Sequence, residues 1–194
     1  MDLLLASTSP IRRTLLTNAG VPFRWEAPKV DEDRVKAHHR GSDSDLAVAL
    51  AKTKALAVSA RHPASLVIGS DSLVSVAGRR FSKPADRAEA AEHLQFFSGR
   101  EMVLTSAAAL LRGNDVQWQH ASTATMQFRA LTAEFIEAYL SAEWPEVAYC
   151  VGVFRLEARG VQLFNRIEGD HFTILGLPLL PLLAALRERG VMPT

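Results

Sequence analysis

The chain opens with a run that admits few folds. Leu3-Leu4-Leu5-Ala6 is apolar enough for a buried strand, and it gives way at once to Ser7-Thr8-Ser9-Pro10-Ile11-Arg12-Arg13. Ser9 is a good N-cap, and Pro10 suits the first helical position, where a missing N–H costs nothing. The pattern predicts a strand, a tight loop and a helix N-terminus whose free N–H groups lie beside two outward-facing guanidinium groups. Phosphate binds well in such a place. The same signals also fit an ordinary capped helix with two solvated arginines.

A length of 194 residues suits a single domain, with one lobe or two, and a substantial core. Net charge is +1, so no basic field argues for nucleic acid and no acidic run argues for a disordered tail. The single cysteine, Cys150, excludes an internal disulfide and suits a reducing compartment. Asp2 stands where a signal peptide would carry positive charge, and Pro178 and Pro181 cut the last apolar run short of a membrane span. A soluble, cytosolic protein with no membrane and no nucleic-acid partner is expected.

Periodicity predicts strands at 3–6 and 23–26, a helix from Pro10 to Asn18 stopped by Gly20, and a long helix over 45–60. Residues 27–43 are charged and aperiodic and read as a mobile loop. Leu66-Val67-Ile68 reads as a strand leading into Gly69-Ser70-Asp71-Ser72, with hairpin arms at 73–76 and 80–81 around Ala77-Gly78. Asp86 and Glu89 form a capping-box pattern for a helix that ends at Ser98-Gly99. Long strands at 102–111 and 116–128, a helix from Thr132 to Ser141, paired strands at 151–156 and 161–164, and a helix from Pro178 to Gly190 complete the chain. Strands mixed with helices and long hairpins mean α/β with a mixed sheet.

Three places carry candidate chemistry. Asp71 is a carboxylate just past a buried strand and beside Gly69, able to serve as base or metal ligand, or merely to close a turn. Pro84 holds Lys83 out of the helical region, so the lysine leaves an extended backbone. Lys52 and Lys54 lie on different faces of the long helix, so at most one serves a given site. With the arginine pair and the acidic residues Asp31, Glu32, Glu168 and Asp170, these supply what triphosphate chemistry requires. That is cations for polyphosphate, oxygen ligands for a hard divalent metal, and a carboxylate free to act on water. No Walker A, G-x-G-x-x-G, H-E-x-x-H or G-x-S-x-G pattern competes. Adjacent His38-His39 read as surface residues, and Cys150 has no histidine nearby in sequence to activate it.

At this point the motifs fall into a known order. Leu5-Ala6-Ser7-Thr8-Ser9-Pro10 with Arg12-Arg13, then Val30-Asp31-Glu32, Leu50-Ala51 with Lys54-Ala55, Ile68-Gly69-Ser70-Asp71, Lys83-Pro84, Arg166-Ile167-Glu168-Gly169-Asp170 and Gly176-Leu177-Pro178-Leu179 together resemble the Maf family of nucleotide pyrophosphatases, nearly end to end. The resemblance implies a mixed, strongly twisted sheet with long central strands, as in the inosine-triphosphate-pyrophosphatase superfamily, and two lobes flanking a nucleotide cleft. It implies hydrolysis of a nucleoside triphosphate to monophosphate and pyrophosphate with a divalent cation, Mg or Mn, and a homodimer. In that reading Asp71 activates water and Glu32 assists, the two also serving the metal. Ser9, Arg13, Lys54 and Lys83 hold phosphates.

Three positions bear on the base. Family members acting on dTTP and UTP carry arginine where this chain has Ile11, threonine where it has Ser72 and glutamine where it has Glu157. The subgroup resembling 7-methyl-GTP pyrophosphatase carries glutamate at the last, although a larger aromatic and a glutamine are often seen there at the first two. A carboxylate can accept from both N1–H and the amine of a guanine edge, and methylation at N7 adds positive charge that it favours. The rivals are a dTTP/UTP pyrophosphatase and, from another class, a nucleotide-binding regulator of cell division. Intact Asp71, Lys54 and Lys83 argue against a degenerate binding module.

Overall fold

The computed structural model describes residues 2–193. In chain order the elements are β1 (Leu3–Ala6), α1 (Pro10–Asn18), β2 (Arg24–Glu26), α2 (Glu32–His38), α3 (Asp43–Ser59), β3 (Leu66–Val76), β4 (Arg79–Phe81), α4 (Arg87–Phe97), β5 (Glu101–Arg112), β6 (Asp115–Phe128), α5 (Ala133–Glu143), β7 (Phe164–Glu168), α6 (His171–Ile174) and α7 (Leu179–Glu188). Among the described residues one sheet runs β2-β1-β3-β5-β6-β7, with β4 also paired to β3. Its pairs β1–β2 and β1–β3 are parallel, while β3–β4 and β6–β7 are antiparallel, so the sheet is mixed as expected. No helix among these residues is long and apolar enough to cross a membrane.

The chain divides into two compact units. The first takes the residues up to Ser72, Thr105–Ser122 and those from Asp170 onward; the second takes Leu73–Leu104 and Thr123–Gly169. In the first unit Leu3 and Leu5 of β1, Leu66 and Ile68 of β3, Leu15 and Leu16 of α1, and Leu182 and Leu186 of α7 share one core. Successive strand residues face opposite ways. Leu66, Ile68, Ser70 and Ser72 therefore line one face of β3, and Val67, Gly69 and Asp71 the other. The second unit has an aromatic core in which Phe97 packs on Phe81 and Phe128, and Phe128 on Phe164.

Three local expectations change, and one element is added. Residues 27–43 contain α2, which has no buried residue. Asp31 caps it through the Arg34 N–H, and acidic residues in its first turn with basic ones in its last suit the helix dipole. Apolar periodicity cannot detect a helix held this way. Strand β3 does not stop before Asp71 but runs unbroken from Leu66 to Val76, so Asp71 is a mid-strand residue. Residues 151–156 form no strand. The segment instead turns through short 3-10 helices at Glu146–Tyr149 and Arg159–Leu163, and β7 pairs with β6. Short α6, capped by Asp170, was not legible as a separate element.

Candidate functional site

Gly69 decides how closely α3 can approach the sheet. A Cβ there would sit 2.0 Å from the Ala51 carbonyl oxygen and 2.9 Å from the Ala55 Cβ. With only hydrogen at Gly69 and alanines at 51 and 55, helix and strand touch backbone to backbone. Lys54 lies on this buried face of α3 with Leu46, Ala47, Leu50, Ala51, Ala55 and Val58. Asp71 lies two residues beyond Gly69 on the same face of β3. The close approach brings the two together: Lys54 Nζ is 2.5 Å from Asp71 Oδ1, with the lysine 7 % and the aspartate 6 % exposed. The same ammonium is 2.8 Å from Glu32 Oε1, which the first turn of α2 supplies. Two carboxylates thus converge on one buried cation, which satisfies the rule that buried charge must be paired.

The opposite face of β3 is organised by Arg12. Its Nη1 donates to the Ser70 carbonyl at 3.1 Å, its Nη2 to Ser72 Oγ at 3.0 Å and its Nε to the Gly176 carbonyl at 2.8 Å. One guanidinium therefore grips both neighbours of Asp71 and the loop that leads into α7. Ser72 and Ser106 hydroxyls are 2.8 Å apart, and Ser106 Oγ donates to the Thr173 carbonyl at 2.8 Å. Ser72 Oγ also lies 3.3 Å from the Gly176 carbonyl as a donor, so one connected network joins Arg12, Ser72, Ser106, Thr173 and Gly176. Burial pulls the Arg12 pKa below its ordinary value, while the negative fields of Asp71 and Glu32 oppose the shift.

The expected outward pair of arginines is thus split. Arg12 turns inward because it stands three and four residues before buried Leu15 and Leu16 on the same helix face. Arg13 places its guanidinium over the Trp25 ring at 4.3 Å from the centroid. An open groove of about 710 Å³ is lined by Pro10, Arg13, Thr14 and Trp25 among others, and includes none of Glu32, Lys54 and Asp71. Ser9 occupies the cap position of α1 without a side-chain cap bond; its N–H instead donates to Ser7 Oγ at 3.1 Å. The first-turn N–H groups of α1 are accordingly left without a side-chain cap. Ile11 is half-buried on α1.

Other expected residues lie elsewhere. Lys83 is exposed between β4 and α4, followed by buried Pro84. Glu157 is exposed in a turn rather than at a strand end. Asp170 caps α6, and exposed Glu168 pairs with Arg166. Cys150 is unsuited to nucleophilic work: burial, then the Glu157 charge, pushes its thiol up to about 11. Arg12 is the site residue that motif reasoning passed over, although its spacing from Leu15 and Leu16 marks it as inward-facing.

Comparison with known proteins identifies the family. The family profile described as Maf-like protein matches residues 2–189. A 7-methyl-GTP pyrophosphatase of Rhizobium meliloti (strain 1021) is 47 % identical over 98 % of this chain and 97 % of its own length. A nucleoside triphosphate pyrophosphatase of Nitrobacter hamburgensis (strain DSM 10229 / NCIMB 13809 / X14) is 46 % identical over 98 % of this chain and 95 % of its own. The solved Staphylococcus aureus Ham1 protein is similar over 98 % of this chain and 100 % of that one, at TM-score 0.49 and 13 % identity. Matched by the profile over nearly all its length, and by relatives approaching half identity, the chain belongs to the Maf family.

Proposed function

We propose that the chain is a nucleoside triphosphate pyrophosphatase, a single catalytic domain that converts 7-methyl-GTP to 7-methyl-GMP and pyrophosphate. The observation that carries this reading is the convergence of Asp71 and Glu32 on Lys54, with Arg12 holding both neighbours of Asp71. A carboxylate fixed on a buried strand and braced on both sides is suited to take a proton in one direction only. Water attacks the α-phosphorus and gives its proton to Asp71, while the bond to the bridging oxygen breaks and pyrophosphate departs.

A divalent cation fits the donor set. Asp71 and Glu32 offer hard oxygen ligands that already converge on one positive group, and Mg²⁺ is commonly held by one or two carboxylates together with substrate phosphates. Among the described residues no group of three or more His, Cys, Asp or Glu side chains could hold a metal ion. Asp71 and Glu32 would hold it, and when bound it supplies neutralisation of the polyphosphate and of the departing pyrophosphate. The uncapped N-terminus of α1, with Ser9, is assigned to phosphate, as are Arg13 and Lys83, and Lys54 once substrate draws it from the carboxylates.

The names of the relatives and the carboxylate at Glu157 support 7-methyl-GTP as the substrate. Family membership is the ground for expecting a homodimer, which sedimentation velocity checks. Pyrophosphate release from a panel of canonical and methylated triphosphates tests the whole reading. 7-Methyl-GTP should lead the panel, and Asp71→Asn should reduce its turnover roughly 10²–10⁴-fold, the worth of a positioned general base. Preference for dTTP or UTP would transfer the assignment to the sister subgroup. Near-normal turnover in a well-folded Asp71→Asn variant would move the base to Glu32.

A further inference from the structure

Helix α5 grips the segment that follows it at two points. The Tyr139 hydroxyl donates to the Val153 carbonyl at 3.0 Å. One turn along the same helix face, Glu143 accepts from Arg155 Nη2 at 3.2 Å and from its Nε at 3.4 Å, although the glutamate is only 5 % exposed. The gripped residues have a costly backbone. Val153 is fully buried with φ of 55°, a region that β-branched residues avoid. Such a conformation persists only where surrounding contacts enforce it, and the Tyr139 hydroxyl and the packing of Val153 are those contacts.

Arg155 in turn carries the next turn of chain. The Ala158 N–H donates to its carbonyl at 3.1 Å, and Gly160 closes so tightly on its backbone that a Cβ would lie 2.4 Å from that oxygen. Residues 155–160 form a loop suspended from Arg155, and Glu157 is exposed within it. Among the described residues no hydrogen bond or ion pair fixes the Glu157 carboxylate. Its location is set by the loop, the loop by Arg155, and Arg155 by Glu143, with Glu146 a more distant partner at 3.9 Å.

We infer that Tyr139 and Glu143 are positioning residues for base recognition, acting through Val153 and Arg155 on Glu157. The inference rests on the reading of Glu157 as the group that meets the base. It explains why a glutamate of α5 is buried at all: a buried charge with one guanidinium partner is poor value for stability, but it fixes one geometry.

The test compares KM for 7-methyl-GTP with the inhibition constant of inorganic tripolyphosphate, a competitor with no base. Tyr139→Phe and Glu143→Gln are each made alone and in a Glu157→Gln background, with melting curves to confirm folding. Each single change should raise KM about 3- to 10-fold, the effect of misplacing one hydrogen-bonding group, and leave the tripolyphosphate constant unchanged. In the Glu157→Gln background neither should add to the effect. An equal loss in both constants, or an undiminished loss in that background, would overturn the inference. If Glu157→Gln moves KM while the α5 variants do not, the clamp alone fails. If Glu157→Gln itself leaves KM unchanged, the base-reading assignment fails and the inference with it.

Discussion

Gly69 and Ala51 meet so closely that the β3 backbone and an α3 carbonyl leave no room for a methyl group, a Cβ at Gly69 falling 2.0 Å from the Ala51 oxygen. That contact sets the reach of Lys54 to Asp71. Gly69→Ala must push α3 outward, and backbone cannot yield as a flexible side chain can. Overpacking of this kind typically costs about 1–3 kcal/mol and more where backbone must move. Turnover should fall beyond what the stability loss explains, because the Lys54–Asp71 distance lengthens. Urea denaturation with parallel kinetics checks this; a variant of normal stability and activity would show that α3 is not located by this contact.

Lys54→Gln removes the cation shared by two carboxylates. Breaking a buried pair by deleting one partner costs on the order of 3–5 kcal/mol, softened here because Glu32 is partly exposed and can turn to water. With that shared cation gone, and Lys36 at 3.8 Å from Glu32 Oε2 a more distant ion-pair partner, Asp71 and Glu32 should bind a divalent cation as a substitute. Magnesium should raise the melting temperature of Lys54→Gln more than that of the unmodified protein. An equal response would remove the two carboxylates from the metal assignment.

Arg12→Lys keeps the charge but loses the planar fork that reaches Ser70, Ser72 and Gly176 together. A lysine can satisfy one of these acceptors, so a loss of roughly 1.5–3 kcal/mol is expected, with turnover reduced as the strand around Asp71 loosens. Arg13→Ala, by contrast, removes a guanidinium stacked on Trp25 and should weaken triphosphate binding while sparing stability. The two variants, compared by chemical denaturation and by triphosphate titration, should separate in this way. Interchanged behaviour would reverse the assignment of the pair.

His93 predicts a pH dependence of stability. Burial holds its pKa below the ordinary value, with Glu89 opposing, Arg79 assisting and Glu92 opposing. Nδ1 is buried without a hydrogen-bond partner, and the ring lies edge-on to Phe81. The unfolded chain therefore binds the proton more readily than the folded one. The His93 contribution is complete above the unfolded pKa of about 6.5 and is lost as pH falls below it. Urea midpoints at pH 7.5 and 5.5 should differ more for the natural chain than for His93→Leu. An equal difference would place the titration elsewhere.

Much of the fold was legible in the sequence wherever its signals are local. The apolar run of β1, Pro10 at the start of α1, and the Asp86 and Thr132 caps of α4 and α5 all mark elements that form as expected. Charge-stabilised α2 has no apolar stripe to detect. Gly69-Ser70-Asp71-Ser72 has turn-like composition, yet it is strand because α3 covers one face and the Arg12 network satisfies the other. Among site residues, the motifs brought Asp71, Lys54 and Glu32 to notice, and the structure places them on one ammonium. The inward turn of Arg12 and the α5 clamp depend on contacts between residues far apart in sequence, which spacing along one element does not report.

The bond that breaks is the most direct test of the account. 7-Methyl-GTP hydrolysed in water enriched in oxygen-18 and analysed by mass spectrometry reports which phosphorus the water attacks. Attack at the α-phosphorus, the step assigned to water activated by Asp71, places the label in 7-methyl-GMP and leaves pyrophosphate unlabelled. Label in the pyrophosphate, or release of orthophosphate with a diphosphate nucleotide, would contradict it.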